Sequence, residues 1–161
     1  MDSLRDSLGK VLDRYEERRR ADIAREQKSK DDDAMFLTRF AEVRKSVVRP
    51  VFESAGALLA ERGHEFSISE QEFSADSARP VAEAAISIRI LPLGMKASAQ
   101  DDDHARTFSI ATRHYSKTVW VNAGAGNSGG IAGVKGSYPL ERIDRHFVEE
   151  ELLKFVTAIV A

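Results

Sequence analysis

The chain has 161 residues, 42 % of them hydrophobic and 31 % charged, and its 24 lysines and arginines nearly balance its 26 aspartates and glutamates, for a formal net charge of −2. That is enough apolar material for one core, and the balance of charge calls for no polyanionic partner. With no cysteine, disulfides, thiolate metal sites, iron–sulfur clusters and cysteine nucleophiles are excluded. The opening MDSLRDSLGK lacks the continuous apolar run of a signal peptide or membrane helix, so a cytoplasmic protein with no membrane partner is expected.

Leu4, Leu8, Val11, Leu12 and Tyr15 recur at spacings of three and four, which draws one narrow apolar stripe along a helix. Beyond Tyr15 the segment EERRRADIAREQKSKDDD is almost wholly charged. A helix of this kind does not hold itself against water, so residues 1–30 read as a charged arm that packs on the domain, pairs with a second copy or frays. Asp31 to Asp33 offer capping acceptors for a second helix, whose apolar positions run from Met35 through Phe36, Phe40, Val43, Val47 and Val48. Pro50 is expected to kink or restart it, after which Val51, Phe52, Ala55, Leu58 and Leu59 continue the apolar face until Gly63 closes it as a left-handed cap.

The period then falls from 3.6 to 2. Phe66, Ile68 and Phe73 mark a first strand, Ile86, Ile88 and Ile90 a second, Phe108, Ile110 and Thr112 a third, and Lys117 to Asn122 a fourth. Val119 and Val121 share one side of the fourth strand and Trp120 takes the other; Trp120 is read as packing beneath a helix. Short connections favour an antiparallel meander. The segment NAGAGNSGGIAGVKGS follows as a glycine-rich loop, and LERIDRHFVEEELLKFVTAIVA is the clearest amphipathic helix, with Pro139 at its first turn. The expected fold is α+β: two N-terminal helices, a four-stranded antiparallel meander and a C-terminal helix packed on the sheet, with residues 31–161 forming the domain.

Gly124, Gly126 and Gly129 match G-x-G-x-x-G after an apolar strand, but Gly130, Gly133 and Gly136 follow where a dinucleotide fold would open a helix. Lys135 lacks the preceding glycine and following hydroxyl of a phosphate loop. No cofactor is expected. Asp101, Asp102, Asp103 and His104 offer hard ligands in one short loop without the converging ligands a metal site needs. His64, His104, His114 and His146 show no paired spacing, and His114 with Ser109, Ser116 or Asp144 would make a nucleophilic triad only by convergence in space. No catalytic residue is assigned.

The function expected from these features is a non-enzymatic interaction or oligomerisation module, with Leu4, Leu8, Val11, Leu12 and Tyr15 contacting a protein partner or a second copy in a homodimer. The alternative is a small-ligand-binding domain, catalytic or not, in which the loop 124–136 covers a pocket and Gly124, Gly126, Gly129, Lys135 and Tyr138 are the ligand candidates, with His104 and His114 beside them. A second alternative is nucleic-acid binding through the basic arm, with Arg14, Arg18, Arg19, Arg20, Arg25, Lys28 and Lys30. Glu16, Glu17, Asp22 and Glu26 interleave with these arginines, which argues instead for a solvated helix face.

Overall fold

The structure, a computed structural model, describes residues 2–76, 78–95, 106–124 and 133–160. Helix α1 runs from Asp2 to Val43, a π-helical turn covers Arg44–Val48, and helix α2 spans Arg49–Glu61. Five strands follow: β1 (Glu65–Gln71), β2 (Ala85–Leu91), β3 (Thr107–Arg113), β4 (Thr118–Ala123) and β5 (Gly133–Pro139). A 3₁₀ turn at Leu140–Arg142 leads to helix α3, Arg145–Val160. The chain divides into two compact units, one ending at Met35 and one beginning at Phe36.

The expected α+β class, the antiparallel sheet and the C-terminal helix are all present, and three local expectations change. First, no helix begins at Asp31 to Asp33, because α1 passes through them unbroken; Asp31 is exposed and Asp32 and Asp33 half-buried, and Asp31 accepts from Gln27 four residues back at 3.1 Å. Second, the sheet has five strands where four were expected, in the order β1-β2-β3-β4-β5 with every neighbouring pair antiparallel. The fifth comes from the end of the glycine-rich segment, where Gly133 and Gly136 obscure the alternation. Its pairing with β4 shifts register between Val121 and Asn122, a bulge that inserts one extra residue on the glycine-bearing strand. Third, Pro139 lies opposite Thr118 in the sheet, extended at φ −64° and ψ 150°. Asp144 starts the last helix instead, its carboxylate accepting from the Phe147 N–H at 2.8 Å.

The junction of α1 and α2 follows from Pro50. A proline has no N–H and its ring collides with the carbonyl four residues back. Widening the preceding turn to a π-helix relieves this: the Arg49 N–H bonds to the Arg44 carbonyl, five residues away, and Pro50 falls in the first turn of α2. At the other end Gly63 takes φ +88°, its N–H bonding the Ala60 carbonyl at 3.0 Å while His64 N–H reaches Leu59 at 2.9 Å. Those two bonds make a Schellman cap, as Gly63 leads one to expect.

The core lies between one sheet face and the helices. Ile86, Ile88, Ile90, Phe108, Ile110, Val119 and Val121 point from the strands, and Val48, Phe52, Val148, Leu152 and Phe155 from the helices. Phe108 sits between both: its ring lies 5.8 Å from Phe52, edge to face, and 5.7 Å from Phe155. Strands with period-2 burial thus send alternate residues to this face, and polar residues to the other.

Candidate functional site

The five apolar residues of the arm lie on α1, and each is more than half exposed: Leu4 61 %, Leu8 51 %, Val11 59 %, Leu12 55 % and Tyr15 55 %. Around them the charged residues pair along the helix, as Arg25 does with Asp22 at 2.9 Å, a contact of little energy at a solvated surface. An apolar stripe at a 3–4 spacing is the surface that a helix offers to another helix.

The second feature is a groove of about 690 Å³ between α2 and α3. Pro50, Val51, Ala55, Leu58 and Leu59 form one wall, and Leu152, Leu153 and Val156 the other, with Ser46, Ser54, Arg145 and Glu149 at its margin. The groove exists because the two helices bury their broad apolar faces in the sheet without closing on each other. Leu58 and Leu153 remain 55 % and 66 % exposed along it. Leu58 belongs to the apolar face read from the sequence. The groove itself was not legible there, since the spacing of two helices across a sheet is set by long-range packing.

Other clusters prove structural. At the end of β3, Glu83 is held from three directions: Thr112 Oγ1 donates to its Oε1 at 3.0 Å, the His114 N–H reaches the same oxygen at 3.2 Å, and His114 Nδ1 pairs with Oε2 at 2.8 Å. The His114 ring lies 4.9 Å from Phe73 and 5.7 Å from Tyr115. None of the nucleophile candidates completes a triad with it. Ser116 bonds Thr118 at 2.7 Å, Asp144 caps α3, and Ser109 stands in register with Ser87 and Asn122 on the sheet face away from Thr112. The pair fastens the β3–β4 turn to the segment before β2.

Arg44, the one buried arginine among the described residues, was not singled out by its sequence. It lies within the apolar run from Phe40 to Val48, and that position was the available signal. Its guanidinium donates to the Gln71 carbonyl at 3.1 Å and to Glu72 at 2.7 Å, with Glu70 at 3.8 Å. Arg49 joins the group, at 2.8 Å from Glu53 and 3.2 Å from Glu70; hydrogen bonds to Glu53 and then Glu70 raise its pKa above the ordinary value. A shallower cleft of about 480 Å³ borders these side chains, with Arg44 and Arg49 both turned to Glu70 on its wall.

Trp120 departs from expectation. It lies opposite the core face, half-buried, with the Arg113 guanidinium stacked on its ring and its Nε1 without a hydrogen-bond partner. The helices cover Val119 and Val121 instead; alternation along β4 allows only one of the two sets to face them.

Of the glycine-loop candidates, Gly124 is buried just past β4, its N–H on the Thr107 carbonyl at 3.0 Å. Gly126, Gly129 and the aspartates with His104 lie outside the described residues. Lys135 and Tyr138 belong to β5. The Tyr138 ring packs at 5.0 Å from Phe147, so it supports α3. Among the described residues no group of three or more histidines and acids is placed to hold a metal ion, and no helix is long and apolar enough to cross a membrane.

Comparison with known proteins returns no match, whether to a family model, a curated protein or a solved structure.

Proposed function

We propose that the chain is a non-enzymatic self-association module, a homodimer assembled through the N-terminal part of α1. The observation that carries this reading is the exposure of all five stripe residues, Leu4, Leu8, Val11, Leu12 and Tyr15, on one helix. Scattered surface leucines need no explanation, but a periodic row on an otherwise charged helix does. Each such residue stabilises an interface by about 1.5–3 kcal/mol when fully buried. The charged remainder of the arm keeps the helix in water until that contact forms.

The test is molar mass by light scattering after size exclusion, on the full chain and on the double variant Leu8→Asp/Leu12→Asp. The full chain should run at twice its monomer mass and the variant as a monomer with unchanged far-UV circular dichroism. Equal masses for the two proteins would remove the reading.

A further inference from the structure

We infer that the stripe Leu4–Tyr15 of one copy docks into the α2/α3 groove of a second copy. This rests on the self-association reading and names the surface that receives the arm. Two exposed apolar surfaces occur among the described residues: a convex row on α1, and a concave groove walled by two helices. Each is the shape that covers the other, in the helix-in-groove manner of amphipathic segments with anchors at i, i+4, i+7 and i+11.

Their dimensions agree. Leu4 to Tyr15 is eleven residue steps, about 17 Å of helix at 1.5 Å each. The apolar lining on the α2 side of the groove, from Val47 to Leu59, is twelve steps, about 18 Å. At 100° per residue, Arg14 and Arg18 border one edge of the stripe, while the α3 margin of the groove carries Arg145 and Glu149 paired with each other at 2.7 Å, so the fit is one of apolar shape and length.

Arm-on-arm pairing is the weaker arrangement. The stripe covers barely two heptads before Arg18 and Arg19 interrupt it, fewer than the three or four a two-stranded coil asks for. A groove between two helices already fixed on a sheet surrounds each anchor on two sides, and it covers Leu58 and Leu153 in the same contact. A two-fold pair repeats the docking, one arm in each groove, so that the interface doubles and closes on itself.

The chain's lack of cysteine makes a direct test clean. Leu12→Cys and Leu58→Cys are made separately in full-length chains of distinguishable size, mixed, oxidised and resolved without reductant. Both positions are more than half exposed, so neither change disturbs the core. The expected product is a covalent heterodimer joining residues 12 and 58, with the 12–12 homodimer at least several-fold weaker. Dominance of the 12–12 product would overturn the groove and keep arm-mediated association. A 12–58 disulfide formed only inside a single doubly substituted chain would also overturn it. So would a wild-type chain that is monomeric with no cross-link, and that outcome would remove the parent reading too. As an independent measurement, Leu58→Asp/Leu153→Asp with the arm intact should halve the molar mass; an unchanged dimer would reject the groove.

Discussion

The Arg44 guanidinium donates to the Glu72 carboxylate at 2.7 Å, yet the two side chains live in different solvents: Arg44 is 9 % exposed and Glu72 76 %. The acid can be rehydrated at little cost, while the arginine also answers for backbone carbonyls, those of Gln71 and Ala85 at 3.1 and 3.4 Å. The energetic weight therefore sits on the arginine. Arg44→Met should destabilise the domain by about 2 kcal/mol by stranding those acceptors, and Glu72→Gln by no more than about 0.5 kcal/mol, as for exposed pairs. Urea unfolding of the two variants distinguishes them.

Thr112 is 1 % exposed; its hydroxyl accepts from the Ala84 N–H at 3.0 Å and faces Glu83 Oε1 at 3.0 Å. Thr112→Val keeps the shape and leaves a buried N–H without its side-chain acceptor, so a loss of about 1–3 kcal/mol is expected. Thr112→Ser, which retains the hydroxyl, should lose less. Thermal unfolding of both, followed by circular dichroism, reads the difference.

Phe108→Ala removes the ring that Phe52 and Phe155 share, and a loss of about 3–5 kcal/mol is expected from calorimetry. The opposite error is tested at Gly56. A Cβ built there meets the Phe66 ring far inside contact distance. Gly56→Val should therefore cost about 1–3 kcal/mol by overpacking, more than the improved helix propensity of about 0.5 kcal/mol returns.

Trp120 is the single tryptophan, so its fluorescence reports one place. Arg113→Ala uncovers the ring that the guanidinium stacks on, and the emission maximum should move to longer wavelength. Stability should fall by no more than about 1 kcal/mol, the worth of an exposed cation–π contact. An unmoved spectrum would mean that Arg113 does not shield the ring in solution.

How much of this was legible in the residues follows their periodicity. Ile86, Ile88, Ile90 and the row Phe108, Ile110, Thr112 alternate cleanly, and their strands stand where the alternation places them. β5 was hidden because Gly133, Gly136 and Pro139 carry little strand signal, yet antiparallel pairing with β4 outweighs their weak propensity. The break expected at Asp31 failed for the converse reason: acids that cap a helix in one setting ride on its solvated face in another. The stripe on α1 was fully visible. The groove between α2 and α3 was not, because residues 46–59 and 145–156 become neighbours only through the sheet that both helices cover.

The order of the strands carries a consequence for how the chain reaches this state. Each strand pairs with the one made just before it, so the sheet grows between chain neighbours without a crossover. The exception is Phe108, whose ring meets both Phe52 and Phe155, residues 103 positions apart in the chain. A chain emerging from synthesis can thus complete all five strands with the apolar residues that α3 covers still wet, until that sixteen-residue helix arrives. That interval is when an apolar arm and an unfinished groove on neighbouring chains are most exposed to wrong partners.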